Sequence, residues 1–226
     1  MAQQVLVVAA HPDDEVFGVG GTMANHILRG DSVSVLIVTD GVTARHANTE
    51  PQKVATRKAC AMLGVEHVFF ANLPDQRLDD LPLLEVIQPI SKLIKELRPR
   101  TVYTHHRGDA NQDHRAVFAA TLVAVRPFDN NPVDRVLCYE VASSTEWGPA
   151  FAEWAFVPNV YVDISDTLEA KLRALEAYRE TFQSELKPYP HPRSPEAVRI
   201  YAQQRGTTVG MTAAEAFVLA RELYRG

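Results

Sequence analysis

Cysteine is nearly absent: 226 residues contain only Cys60 and Cys138. Two thiols in separate apolar settings exclude a disulfide framework and read as small buried side chains. No apolar run approaches the roughly 18 residues that mark a membrane span. A basic excess is lacking too, since 28 acidic residues against 23 basic ones give a formal net charge of −5. The basic residues are scattered, so the positive face that a nucleic-acid partner requires is not expected. Their densest stretch, 92–100, alternates with apolar residues like the wet side of a helix. No targeting signal is read at the start, where Met1-Ala2-Gln3-Gln4 leads straight into a short apolar run. The expectation is a cytoplasmic protein in a reducing compartment. Repeats, low-complexity tracts and linkers are also missing. Apolar residues are plentiful, at 46%, which fills a core and excludes disorder. The length suits one domain over residues 1–226.

Strand-like and helix-like segments alternate. Residues 5–10 are a short continuous apolar run, as in a strand buried on both faces. Residues 15–29 carry helical spacing and stop at Gly30. A β-branched strand follows at 33–39, then a helix at 52–63 closed by Gly64. Next come a strand at 67–71, a helix at 83–97, a strand at 101–104 and a helix at 112–125. Strands are expected at 135–141 and 159–163. Helices are expected at 165–181, capped by Ser165, at 195–205 and at 213–225. This order predicts a Rossmann-like, doubly wound α/β fold: a mostly parallel sheet flanked by helices, with a helical C-terminal part. The Pro-rich stretch Lys187-Pro188-Tyr189-Pro190-His191-Pro192 is the one clear irregular segment.

In such a sheet, ligands bind beyond the carboxyl ends of the strands. Two polar clusters fall there. His11-Pro12-Asp13-Asp14-Glu15 follows the first strand, and a run from His105 to Arg115 follows the strand at 101–104. Histidine and carboxylate are both good zinc ligands, and two His with one Asp leave a coordination position open for water. The metal makes that water acidic and a nearby carboxylate can take its proton. Asp13 and Asp14 supply one carboxylate for each task. Singly, these residues also read as a charged helix start or as surface histidines. Their meeting at one sheet edge is what favours a site.

At these residues the sequence resembles the PIG-L or LmbE-like de-N-acetylase family. Its marks are a His-Pro-Asp-Asp-Glu segment after the first strand and a later Asp-His pair opening a helix, here Asp113-His114. The resemblance implies a zinc-dependent hydrolase that removes N-acetyl groups from N-acetylglucosamine-type sugars and glycoconjugates. It implies zinc (Zn2+) on His11, Asp14 and His114, with Asp13 as general base. Glu15 and Asp113 are then partners behind the site, Asp113 fixing an imidazole tautomer. One place departs: many members carry a histidine three positions before the metal histidine, where this chain has Asn111. Asparagine can donate a hydrogen bond to a tetrahedral intermediate but cannot deliver a proton at neutral pH. The candidate replacement is His191 of the Pro-rich loop, from the same chain or from a neighbour in a homo-oligomer. Specificity is expected to lie in loops 41–52, 72–82, 143–158 and 184–194, with Trp147, Trp154 and Tyr189 as candidate sugar platforms. Arg57, Arg107 and Arg115 are weaker candidates for holding substrate oxygens.

Three rivals stand beside this reading. A non-haem iron enzyme also uses two His and one carboxylate. A catalytically silent metal-binding protein would have no use for Asp13. A nucleotide-binding domain is suggested by Gly18, Gly20 and Gly21, but these come too late after the strand, and paired carboxylates would repel a pyrophosphate.

Overall fold

The computed structural model describes residues 2–41, 49–128, 130–181 and 186–224. The loop expectations for 42–48 and 184–185, and the end of the expected last helix at 225, lie outside the described residues. Seven strands form one sheet, in the order β3-β2-β1-β4-β5-β7-β6. They are β1 (Gln4–Ala9), β2 (Ser32–Thr39), β3 (His67–Leu73), β4 (Thr101–His105), β5 (Arg135–Tyr139), β6 (Val160–Asp163) and β7 (Ala214–Glu222). The first five run parallel, and β7 pairs antiparallel with both β5 and β6. Strand β1 alternates between two cores. Val5, Val7 and Ala9 pack under α1 (Asp14–Leu28), α2 (Glu50–Met62) and α5 (Leu168–Thr181). Leu6, Val8 and Ala10 pack under α3 (Leu83–Leu97) and α4 (Gln112–Ala124). Covered on both faces, the strand has no polar side, hence its unbroken apolar run. The chain passes from β1 to β2 on one side and returns as β4 on the other. Such a change of direction opens a crevice at the carboxyl ends of β1 and β4.

The fold expected from the sequence is present, with two local corrections. The expected helix at 213–225 is instead strand β7, after α6 (Pro195–Thr207). Ala, Glu and Leu favour helix, but Ala214, Glu215, Ala216 and Phe217 are all buried, inserted between β5 and β6. Burial on both faces removes the alternation that would announce a strand. Ser165 does not cap α5: its hydroxyl donates to Asp163 Oδ1 at 2.5 Å, and the Lys171 N–H goes to the Thr167 carbonyl.

The glycines of α1 serve packing. A Cβ on Gly18 would stand 2.2 Å from the Tyr139 ring, and one on Gly21 would stand 2.7 Å from Ile164 Cγ2. Helix α1 is also clamped by a buried ion pair. The Glu215 carboxylate accepts the N–H groups of Gly21 and Thr22. The Lys171 ammonium donates to the Phe17 carbonyl at 2.7 Å and to Glu215 at 2.6 Å. Both partners are almost wholly enclosed. Removing one member of a buried pair strands the other charge, a loss of about 3–5 kcal/mol. Lys171→Met is therefore expected to lower the unfolding free energy, read from denaturant melts, by that order, and a value within about 1 kcal/mol of the parent would show that the pair is not a clamp.

Candidate active site

The turn between β1 and α1 holds His11 to Asp14. Asp13 has a left-handed backbone, φ 96° and ψ −28°, which is unusual for a residue with a side chain. The turn is held from behind by Glu15, which is fully buried. One Glu15 oxygen accepts the Asp13 N–H at 2.9 Å and the other accepts the Tyr178 hydroxyl of α5. Burial raises the Glu15 pKa to about 7, against the opposing pull of the Tyr178 bond. The Asp13 carbonyl accepts the N–H groups of Val16 and Phe17 and so opens α1. His105, at the end of β4, has its imidazole pushed below the ordinary value by burial. Its Nε2 accepts the Ala10 N–H at 2.8 Å, and its ring stacks on His114 with centroids 3.9 Å apart.

Three atoms meet at the mouth of the crevice. His11 Nδ1, His114 Nε2 and Asp14 Oδ2 are mutually 3.2 Å apart. Donors bound tetrahedrally at ~2.0–2.1 Å from one zinc stand roughly 3.3 Å apart. The donor types and the triangle therefore fit one ion of zinc's size. Each histidine turns its other nitrogen to a carboxylate. His11 Nε2 faces Asp113 Oδ2 at 3.0 Å and Asp75 Oδ1 at 3.4 Å, and His114 Nδ1 faces Asp109 Oδ2 at 3.1 Å. Such pairs fix the tautomer that leaves a lone pair towards a metal. Burial alone would depress the His114 imidazole, but Asp14 and Asp109 outweigh it and lift its pKa to about 10. His11 is lifted to about 9 by Asp113 and Asp14, again against burial. The setting thus favours positive charge, carried by protons or by a metal ion.

The carboxylates behind the histidines are themselves held. Asp113 accepts the N–H groups of Gln76 and Leu78 at 2.8 and 3.0 Å. Asp109 accepts the Asn111 N–H and the hydroxyls of Ser144 and Thr145. Asn111 caps α4 by accepting the Asp113 N–H at 2.8 Å, which turns its amide nitrogen into the available donor. The pocket, about 480 Å³ with its open mouth, is lined by the triangle and by Asp13, Gln52, Gln76, Asn111, Ser144 and Arg193. Asp13 Oδ2 is bonded by Arg193 Nη2.

The sequence-predicted residues His11, Asp13, Asp14, Asn111 and His114 therefore share one pocket, with Glu15 and Asp113 directly behind it. His191 is not among its lining residues. Its Nδ1 accepts the Arg193 N–H at 3.1 Å, and its ring meets Trp147 edge-on. Trp147, Trp154 and Tyr189 are exposed. The three arginines considered from sequence lie elsewhere: Arg57 over the Phe70 ring, Arg107 on the Glu153 carbonyl, and Arg115 on the Asp109 and Ala110 carbonyls.

Residues 6–125 match the PIG-L family model, described as GlcNAc-PI de-N-acetylase. The chain belongs to this family. Among its relatives is the uncharacterized deacetylase YaiS of Escherichia coli, 29% identical over 188 residues, which cover 77% of this chain and 90% of that one. A probable N-acetyl-α-D-glucosaminyl L-malate deacetylase 2 of Bacillus cereus is 27% identical, over 83% of this chain and 87% of its own. A conserved protein of Thermus thermophilus superposes with a TM-score of 0.77 at 27% identity, covering 99% of this chain and 97% of that one. The PIG-L segment holds His11, Asp14 and His114, while Ser144, Tyr178 and Arg193 lie beyond it.

Sequence reasoning on this PIG-L chain missed Asp75, Gln76, Asp109 as an anchor, and Arg193. The first two follow β3 at the same sheet edge, so the strand-end rule could have found them. Arg193 stands two residues after His191, in the stretch already singled out. Tyr178→Phe is expected to leave the buried Glu15 carboxylate short of a donor and to cost about 1–3 kcal/mol of stability. Thermal denaturation checks this, and an unchanged melting temperature would remove Tyr178 from the support of the turn.

Proposed function

We propose that this chain is a zinc-dependent de-N-acetylase, releasing acetate from an N-acetylglucosamine-type sugar or glycoconjugate. The observation that carries the reading is the 3.2 Å triangle of His11, Asp14 and His114 with a separate carboxylate, Asp13, in the same open pocket. The names of the relatives support the amino-sugar class.

When bound, zinc supplies Lewis acidity, polarising the acyl carbonyl and making water nucleophilic at neutral pH. The remaining steps belong to the chain. His11 Nδ1, Asp14 Oδ2 and His114 Nε2 hold the ion. A carboxylate oxygen of Asp13 takes the proton of the attacking water and later returns it to the departing nitrogen. The amide nitrogen of Asn111 donates to the carbonyl oxygen as it gains charge. His191 is the proposed second hydrogen-bond donor: its Nδ1 accepts the Arg193 N–H, so the neutral ring carries its hydrogen on Nε2 and can offer it to the substrate. Water adds across the amide, giving acetate and the free amino sugar.

A panel of N-acetylated sugars and glycosides, assayed for released acetate with and without chelator, tests the reading. Turnover lost to chelator and restored by zinc is expected; turnover indifferent to both would sink it. Asp13→Asn is expected to keep its metal and lose hydrolysis, while His114→Ala loses the metal. Asp109→Asn should weaken metal affinity by about 10–100-fold, read by competition with a chromogenic chelator. Full turnover by His191→Ala would remove that residue from the scheme.

A further inference from the structure

Asp13 and Arg193 are 180 positions apart, yet their side chains meet inside the pocket, Nη2 on Oδ2. Asp13 is almost completely enclosed, whereas the Arg193 side chain keeps 17% of its surface exposed. The guanidinium is seated: its carbon lies 4.5 Å from the centre of the Phe17 ring, on the first turn of α1. The backbone that presents it is seated as well. The Ser194 N–H returns to the His191 carbonyl, and the His191 N–H to that of Pro188. Ser194 is buried and caps α6, its hydroxyl accepting the Ala197 N–H at 3.0 Å. The Arg193 N–H is taken by His191 Nδ1. Arg193 is thus a preset group at the end of a locked turn.

We infer that Arg193 is the positioning residue of the general base: its grip on Oδ2 fixes the rotation of the Asp13 carboxylate relative to the metal triangle. This rests on the reading of Asp13 as base. A carboxylate offers about four lone-pair sites, so one bond to arginine leaves capacity to accept a proton from water. A base acts only if its accepting oxygen is already aimed, and small misplacements cost large factors in rate. Without Arg193, the carboxylate at this left-handed position loses the guanidinium contact on its Oδ2. The neighbouring Asp14 needs no such device, because the triangle holds its Oδ2. Arginine suits the task better than lysine, since its planar fork is rigid.

The test compares Arg193→Ala, Arg193→Lys, Asp13→Asn and the Asp13→Asn/Arg193→Ala double variant, with zinc content and melting temperature measured for each. Arg193→Ala is expected to keep its metal, lose roughly 100-fold in kcat and change KM by less than about threefold, as for a group realised only in the transition state. Added guanidinium or methylguanidinium at millimolar level is expected to restore part of kcat. Arg193→Lys, which retains charge and most packing, should fall between. On the Asp13→Asn background the Arg193 change should add nothing further. Full kcat in Arg193→Ala or Arg193→Lys would overturn the proposal, as would a raised KM with kcat intact, which marks a substrate contact. An active Asp13→Asn would instead overturn the base reading, and this proposal with it.

Discussion

One backbone turn, His11 to Asp14, sets the near half of the pocket, because it places His11, Asp13 and Asp14 among the side chains that line it. Its left-handed residue is not glycine, and such a conformation costs of order 1–3 kcal/mol unless its surroundings impose it. Here they do. Glu15 takes the Asp13 N–H, the Asp13 carbonyl starts α1, and Arg193 takes its carboxylate. The reward is divergence: two adjacent carboxylates reach different partners, Asp14 the paired imidazoles and Asp13 the guanidinium.

Charge is arranged outward from the triangle in alternating layers. Imidazoles and one carboxylate face the centre, Asp109 and Asp113 stand behind the imidazoles, and hydroxyls and backbone amides stand behind those carboxylates. In a buried setting each layer is tolerable only because the next one satisfies it. This explains why the loop at 143–145, which offers no metal ligand, belongs to the site. Through Asp109 it fixes the orientation of His114.

Much of this was legible in the sequence. Continuous apolar runs gave β1 and β2 because both sheet faces are covered. Helical periodicity gave α1 and α3. The site's near half was readable because its residues are consecutive and sit at strand ends. What escaped was long-range. Strand β7 has the composition of a helix, and only its place between β5 and β6 makes it a strand. Asp109 could be read as a cap, since its role depends on Ser144 and Thr145 folding over it. Arg193 was overshadowed by His191, because ring chemistry is easier to notice in a sequence than a salt bridge across 180 residues. The exposed state of Trp147 and Tyr189 has no local signature at all.

The clamp of Lys171 and Glu215 on α1 has a consequence for how the protein is born. Synthesis delivers the turn at His11 to Asp14 well before Lys171 and Glu215, which brace its helix. The segment that carries the family's signature, ending at residue 125, emerges from the ribosome without Lys171, Tyr178, Arg193 or Glu215. Until those arrive, the amides of Gly21 and Thr22 lack their carboxylate and Asp13 lacks its arginine. The turn is therefore fully braced only once residue 215 has emerged. A nascent or truncated chain can own His11, Asp14 and His114 and still lack the contacts that hold their turn in place.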